Sequence, residues 1–179
     1  MSEVLKIAIT GPESTGKSML AEQLANHYRT PWVPEFARSY IDKLDRPYVA
    51  ADILTIAKGQ LSHERQLLKK ATGYLFCDTE LIVTKIWSEL KYGYCDPWIL
   101  QNIEKNNYHL FLLCDIDLPW VDDPQREHPH FRKQLFDLYF QELTNRRLTF
   151  RIVSGIGSIR LKNAIKSISE FDDLALSKS

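Results

Sequence analysis

Short apolar runs alternate with longer segments of helical period along most of the chain. The runs are rich in β-branched and aromatic residues and predict strands at about residues 4–10, 31–34, 74–78, 108–114 and 149–153. Strands that alternate with helices are typical of βαβ units. We therefore expect an α/β fold with a five-stranded parallel sheet flanked by helices.

The helical segments carry apolar residues on one face, at spacings of three, four or seven. Such stripes predict helix faces that pack into the core rather than chemistry. The stripe positions are Ile53, Ala57, Leu61 and Leu68, then Ile82, Ile86 and Leu90, and later Phe131, Leu135 and Tyr139.

One long segment has no regular period. Residues 115–130, "DIDLPWVDDPQREHPH", hold three prolines and a cluster of charges between the fourth strand and the next helix. Loops of this length inside a compact domain are often lids or binding loops, and we expect a lid here. The tail, about residues 170–179, is polar and predicts a frayed end to a single domain spanning 1–179.

Composition narrows the class of protein. At 179 residues with 44% hydrophobic content, the chain fits one soluble domain. Lys plus Arg and Asp plus Glu both number 23, so no overall basic field favours nucleic acid. Neither a membrane-spanning stretch nor a signal peptide is evident, and Cys77, Cys95 and Cys114 suit reduced thiols. We expect a cytoplasmic protein without a zinc site.

The segment "GPESTGKS" follows the first predicted strand and leads into a helix, which is the context of a phosphate-binding P-loop. Gly11 and Gly16 allow consecutive N–H groups to point inward at a helix N-terminus, where anions are favoured. Lys17 is placed to reach the β and γ phosphates of ATP, and Ser18 to bind Mg²⁺. The remaining nucleotide-binding candidates in the loop are Glu13, Ser14 and Thr15.

Two carboxylates follow other predicted strands, at the edge where the P-loop lies. Asp78 is a candidate for holding Mg²⁺, and the alternative is that it caps a helix beginning at Thr79. Glu35 is a candidate for orienting an acceptor hydroxyl and taking its proton. Arg38, one helical turn further, is a candidate for binding the acceptor or a phosphate, unless it only pairs with Glu35.

The lid segment carries several cations. Arg126 is a candidate for neutralising charge on a transferred phosphoryl group. Arg132 is expected to be solvated in the following helix, and His128 and His130 are expected to be surface residues without a ligand.

Trp120 is followed closely by Asp122 and Asp123. An aromatic face beside carboxylates favours a planar cation, through cation–π attraction and charge pairing. The alternative is that Trp120 packs the loop onto the core while the acids face water.

These features favour a small P-loop kinase. The guanine-reading pattern N-K-x-D is absent from the sequence, which disfavours a GTPase switch. An AAA-type motor normally needs a larger domain and an arginine finger from a neighbour. A kinase for another small acceptor, or a P-loop ATPase module that serves a partner, are the remaining alternatives.

The motifs "GPESTGKS", "VPEFAR", "DTE" followed by "TKIW", and "WVDDPQR" together resemble the ribosylnicotinamide kinase domain of NadR-type bacterial proteins, over most of the chain. The resemblance implies the fold of the nucleoside monophosphate kinases. It also implies an ATP- and Mg²⁺-dependent kinase that phosphorylates the 5′-hydroxyl of nicotinamide riboside to nicotinamide mononucleotide, in NAD salvage. The helix-turn-helix and adenylyltransferase domains of those proteins are not in this sequence, so we expect neither repression nor adenylylation.

The resemblance also implies roles for individual residues. Glu35 would orient the acceptor, Arg38 would contact substrate or phosphate, and Asp78 would serve the metal or the hydroxyl; which carboxylate takes the proton stays open. Arg126 would be the lid arginine. The positively charged pyridinium ring would give the cluster of Trp120, Asp122 and Asp123 its purpose.

Three further positions depart from or extend this pattern. Pro124 stands where the resemblance leads us to expect a glycine, which predicts a stiffer lid. Gly155 and Gly157 follow the fifth strand, where they would let the backbone approach the adenine; the alternative is a plain strand-to-helix turn.

Overall fold

The structure, a computed structural model, describes residues 4–105 and 107–177. Its sheet has five parallel strands in the order β2-β3-β1-β4-β5. This confirms the predicted fold class, although β2 is shorter than expected. The strands are β1 (Leu5–Thr10), β2 (Trp32–Val33), β3 (Tyr74–Asp78), β4 (Leu110–Cys114) and β5 (Phe150–Val153).

Seven helices connect the strands in the described part of the chain. They are α1 (Lys17–Tyr28), α2 (Phe36–Ile41), α3 (Ala50–Leu68), α4 (Leu81–Tyr92), α5 (Pro97–Lys105), α6 (Arg132–Asn145) and α7 (Ser158–Leu176). Not one of the helices described is both long and apolar enough to cross a membrane.

The core has one layer on each face of the sheet, because alternate strand residues point to opposite sides. Ile7 and Ile9 of β1 pack with α1 and α7, whereas Ala8 packs with α4 and α6. Almost every residue of the three central strands is buried, as expected for strands covered on both faces.

Each predicted apolar stripe is buried except at one end. Leu68, Leu90 and Phe131 are 37%, 40% and 36% exposed, so their assignment to the core is wrong. Leu68 lies at the end of α3 and Phe131 at the N-cap of α6, where neighbouring elements no longer cover the helix. Leu90 instead lines the large cavity described below.

The prediction of a frayed tail from residue 170 is also wrong for the described residues. Helix α7 continues to Leu176, because Phe171 packs against the core layer under α1 and Tyr74 donates a hydrogen bond to Asp172. Positions 178 and 179 lie outside the described residues.

Helix α3 fixes the start of α2 by close contact. Gly59 faces the ring of Phe36, and a Cβ at this glycine would lie 2.2 Å from Phe36 Cε1. The neighbouring Gln60 is buried, and its Oε1 accepts a 2.9 Å hydrogen bond from the Phe36 N–H while its Nε2 donates to the Asp78 carbonyl at 3.3 Å. One side chain therefore joins the segments that carry Glu35 and Asp78.

Candidate active site

A cavity of about 570 Å³ opens at the carboxyl ends of β1, β2 and β3, where an open α/β sheet presents its ligand site. Its volume suits a small-molecule ligand. The P-loop, residues 11–18, forms one end, which we call the phosphate end. The other end, which we call the acceptor end, is lined by residues 46–48, by one face of α4 and by lid residues 124–128.

The P-loop has the backbone geometry that the sequence predicts. Gly11 and Gly16 have φ angles of 128° and 74°, in the region that favours glycine. Neighbours also exclude a side chain, since a Cβ at Gly11 would lie 3.0 Å from the Cys114 carbonyl and one at Gly16 would lie 2.9 Å from Leu118 Cδ1. The two glycines are therefore required by both conformation and space.

Lys17 is the first residue of α1, and its ammonium lies over the P-loop. Nζ donates to the Pro12 carbonyl at 2.7 Å, and the buried Thr15 hydroxyl donates to the same carbonyl at 2.8 Å. Thr15 thus braces the loop from inside, whereas Lys17 lines the cavity. A cation here faces the place where the loop N–H groups favour phosphate.

Asp78 ends β3 and is 1% exposed. Among the described residues, neither of its carboxylate oxygens has a hydrogen-bond partner of ordinary geometry. Burial, with the negative charge of Glu35, raises the Asp78 pKa to about 6, although Lys17 and the Ser18 hydroxyl act in the opposite direction. A buried carboxylate with unpaired oxygens beside a hydroxyl provides the oxygen ligands that Mg²⁺ prefers, so these residues fit the ion.

Asp78 does not cap the following helix, so the alternative role that the sequence suggested for it is wrong. Helix α4 begins at Leu81, and its N-cap is Glu80, whose Oε2 accepts a 2.6 Å hydrogen bond from the Ile82 N–H. Glu80 also accepts from the Thr10 hydroxyl at 3.1 Å, and burial raises its pKa to about 7. Sequence reasoning missed Glu80, although its position in "DTE" was visible.

Glu35 occupies the N-cap position of α2 and lines the cavity. Its side chain makes no capping hydrogen bond. Arg38 also lines the cavity, and its Nη1 lies 2.9 Å from Asp123 Oδ2 in the lid. Glu35 therefore lies at the site, and Arg38 binds the lid. The alternative that Arg38 only pairs with Glu35 is excluded, because Arg38 forms an ion pair with Asp123.

The lid contacts the P-loop through the side chains of Glu13 and Ser14. Glu13 Oε2 accepts from the backbone N–H groups of Glu127 and His128 at 3.2 and 3.0 Å. Ser14 Oγ accepts from the Val121 N–H at 2.9 Å. Both residues line the cavity, as expected for nucleotide-binding candidates, and they also join the two loops.

The expectation for Arg132 is wrong, whereas that for His128 is not contradicted, since its side chain is 30% exposed. Arg132 is half-buried rather than solvated, since its guanidinium donates to the Ser14 carbonyl at 3.1 Å and to the Leu118 carbonyl at 2.9 Å. His128 lines the cavity and lies 3.5 Å from a Glu13 oxygen. Arg126 lines the cavity as well, near Ser14 Oγ at 3.4 Å, which places it on the phosphate side of the lid.

The cluster of Trp120, Asp122 and Asp123 does not form a ring-binding site in the cavity. The Trp120 ring faces Arg126 of the lid and Arg132 of α6, with Arg126 Cζ 6.0 Å and Arg132 Cζ 5.9 Å from its centroid. Its indole N–H donates to Asp122 at 2.8 Å, and Asp123 pairs with Arg38. None of the three is among the described residues that line the cavity.

A different aromatic pair lines the acceptor end. The rings of Tyr48 and Trp87 meet edge to face with centroids 4.9 Å apart, and the indole N–H donates to the Tyr48 hydroxyl at 2.9 Å. The Tyr48 hydroxyl lies 2.7 Å from Glu127, which in turn pairs with Lys91 at 2.7 Å. Trp87 ends the "TKIW" motif, but no sequence pattern pointed to Tyr48, Lys91 or Glu127.

Gly155 adopts a φ of 102° in the turn after β5. Its N–H donates to Asp117, and its carbonyl accepts from Arg160 Nε at 3.0 Å. Arg160 is 4% exposed and also donates to the Val153 carbonyl at 2.9 Å, so this turn is firmly held. Gly155 is not among the described residues that line the cavity, and its contact with adenine stays a prediction.

The chain is similar to curated proteins of NAD metabolism. It is 30% identical over 129 residues to the trifunctional NAD biosynthesis/regulator protein NadR of Escherichia coli, and equally to that of Salmonella typhimurium. The matched region is 69% of this chain but 31% of either relative. The chain thus spans about a third of the length of those proteins.

Solved structures share the fold. A crystal structure of NadR protein in complex with NR superposes with a TM-score of 0.79 and 20% identity, covering 94% of this chain and 51% of the other. Thymidylate kinase from Ehrlichia chaffeensis gives a TM-score of 0.65 at 14% identity, over 93% of this chain and all of the other. The model of a family described as AAA domain matches residues 6–160. With its P-loop geometry and this match over most of its length, the chain belongs to the AAA domain family and has the P-loop fold shared by NadR and the nucleoside monophosphate kinases.

Proposed function

We propose that the protein is a kinase that transfers the γ-phosphoryl group of ATP to the 5′-hydroxyl of nicotinamide riboside. The observation that carries the proposal is the cavity itself, which joins a P-loop and the Glu35 carboxylate at one end to an aromatic pair with a carboxylate at the other. A phosphoryl donor site and a ring-binding acceptor site in one cavity are what a nucleoside kinase needs. The relatives named for NAD biosynthesis and for a complex with NR support the choice of acceptor.

At the phosphate end, Lys17 would pair with the β and γ phosphates over the inward N–H groups of the loop. Ser18 and Asp78 would hold Mg²⁺, which supplies positive charge against the oxygens of the transferred group when it is bound. Arg126, on the phosphate side of the lid, would add a further positive charge.

The acceptor oxygen attacks the γ-phosphorus in line, its bond to phosphorus forms as the bond to the ADP oxygen breaks, and its proton passes to a carboxylate. Glu35 is the better candidate for that carboxylate. It is partly exposed in the cavity and free of a capping bond, whereas Asp78 is buried beside Ser18. Those positions favour Glu35 as base and Asp78 as metal ligand.

At the acceptor end, Tyr48 and Trp87 offer aromatic surface and Glu127 offers a negative charge. Nicotinamide riboside carries a positive pyridinium ring, and a cation is attracted both to an aromatic face and to a carboxylate. The structure thus supplies the aromatic and acidic combination expected from the sequence, but from other residues than Trp120, Asp122 and Asp123.

The test is transfer of label from γ-labelled ATP with Mg²⁺ in a single turnover. Parallel reactions contain nicotinamide riboside, its uncharged reduced form, other nucleosides, or no acceptor. We expect label on nicotinamide riboside and much less on the reduced form. Label on a different nucleoside would support a kinase with another acceptor.

An ATPase module that serves a partner is the alternative from a different class, and the family description AAA domain is compatible with it. In that case, labelled phosphate would be released as the free ion at the same rate with every acceptor and without one.

A further inference from the structure

The acceptor end contains a complete cation-binding site, and one of the protein's own lysines fills it. The ammonium of Lys91 lies 3.9 Å from the centroid of the Tyr48 ring and 2.7 Å from Glu127 Oε1. It also donates to the Tyr48 hydroxyl, which receives the indole N–H of Trp87 at 2.9 Å. An aromatic face and a carboxylate around one positive charge are the elements that recognise a cationic ring.

We propose that Lys91 is an internal competitor for this site, so that a cationic acceptor ring binds by taking the place of its ammonium. The proposal rests on the proposed function, since it concerns how the acceptor of that reaction is selected. Lys91 thereby selects among acceptors. A ring that displaces the ammonium must itself be positively charged to restore the interactions with Tyr48 and Glu127.

The lysine can leave at small cost. The side chains of Lys91 and Glu127 are 34% and 37% exposed, and ion pairs at such partly exposed positions are weak. Lys91 lies in the last turn of α4, next to Gly93 at the C-cap. A cation is favoured near the C-terminal carbonyls of a helix, so the long flexible side chain has an alternative place in water.

A neutral ring that displaced Lys91 would leave Glu127 without a counter-charge in the lid. A pyridinium ring would instead pair with Glu127 and face Tyr48 as the ammonium did. The carboxylate belongs to the lid and the tyrosine to the segment before α3, so a cationic ring would also keep the lid joined to the rest of the cavity. Acceptor charge and lid closure are thereby coupled at one residue, Glu127.

The test is Lys91→Met, which removes the charge and keeps an unbranched side chain. We expect the KM for nicotinamide riboside to fall about fivefold, the change that loss of one weak competing cation would produce. The KM for the uncharged reduced form should not fall, because a neutral ring cannot replace the ammonium beside Glu127 and therefore binds with Lys91 in place. The matched control is Lys133→Met, because Lys133 is 75% exposed, pairs with Asp137 one turn away on α6 and lies outside the cavity lining.

A second variant tests whether the gain depends on the shared carboxylate. Glu127→Gln should raise the KM for nicotinamide riboside. Adding Lys91→Met to this variant should not lower the KM further, because the competitor and the ring have then lost the same partner.

An equal rise in KM for both acceptors in Lys91→Met would mean that Lys91 stabilises the position of the lid. A rise for nicotinamide riboside alone would make it a direct contact. Either result, or no change, overturns the proposal.

Calorimetric binding of 1-methylnicotinamide, a pyridinium without a ribose, separates this proposal from the proposed function. Tighter binding to Lys91→Met than to the wild type supports the cation site even if no label reaches nicotinamide riboside. If label is transferred but the two proteins bind the pyridinium equally, the kinase assignment stands and the competitor is refuted.

Discussion

The two ends of the cavity are assembled in different ways. The phosphate end draws on one short run, residues 11–18, together with the ends of neighbouring strands. The acceptor end draws on segments far apart in the chain, since Tyr48 and Glu127 are separated by 79 residues and Lys91 and Glu127 by 36. The lid contacts both ends.

The difference has a physical origin. Phosphate is bound by backbone N–H groups whose direction is set by local φ and ψ angles, so a continuous loop is enough. A ring has to be held by side chains from several directions, and no short run of residues can surround it. The acceptor end is therefore free to vary while the phosphate end stays fixed in form.

The largest effect should come from Lys17→Ala at the phosphate end. We expect kcat to fall by about a hundredfold or more, because a charge aimed at the transferred group is lost. The KM for nicotinamide riboside and the melting temperature should change little, since the hydrogen bond that Lys17 Nζ makes among the described residues lies within its own loop. Steady-state kinetics and a thermal scan check this. A loss confined to acceptor KM would show that the two ends are not separate.

A smaller effect should distinguish two tryptophans. Trp87→Ala should raise the KM for nicotinamide riboside by about tenfold, in line with the stacking of a base on an aromatic side chain, and leave ATP affinity unchanged. Trp120→Ala should leave that KM nearly unchanged and weaken ATP use instead, since the ring packs on Arg126 and Arg132. Initial-rate kinetics of both variants decide the matter, and the reverse pattern would restore Trp120 as the ring-binding residue.

An effect of similar size should appear as a loss of activity at low pH, which originates at the phosphate end. Because the Asp78 pKa is raised to about 6, kcat/KM at limiting Mg²⁺ should fall as pH drops below 6, by about tenfold at pH 5. Saturating Mg²⁺ should move this loss to lower pH, since the ion competes with the proton.

Stability and activity should depend on pH with opposite signs: activity should rise with pH, whereas the stability of the metal-free protein should fall. Without metal, the folded protein keeps a proton on Asp78 that the unfolded chain releases near pH 4, so the free energy of unfolding should decrease as pH rises from about 4 to 6. Asp78→Asn should remove this part of the decrease, and melting temperatures measured with a chelator across that range test it. An unchanged pH profile in the variant would mean that another group, such as Glu80, causes the decrease.

The sheet and the phosphate end were predictable because each depends on local pattern. Strand positions follow from apolar runs, and Gly11, Gly16 and Lys17 stand at fixed spacings. The family resemblance supplied the acceptor that we propose, which composition and periodicity do not encode.

The remainder depended on contacts between distant segments. Trp120 and its acidic neighbours have the composition of a cation site, but Arg126 of the same lid and Arg132 of α6 already face the ring. Arg132 looked solvated because its partners, Ser14 and Leu118, lie 118 and 14 residues away. The tail looked frayed because burial of Phe171 against the core layer under α1 is a tertiary contact.

Because the ring of Phe36 lies against Gly59, a side chain at position 59 is not tolerated, although Gly59 itself has no part in the proposed chemistry. Adding a single methyl group at position 59 would shift the start of α2 and the Glu35 carboxylate with it, while the P-loop and the cores on either face of the sheet stay as they are. In a mutational scan, substitutions at Gly59, inside helix α3, would then reduce activity as substitutions of a site residue do. Such a variant would retain its nucleotide affinity and lose its turnover.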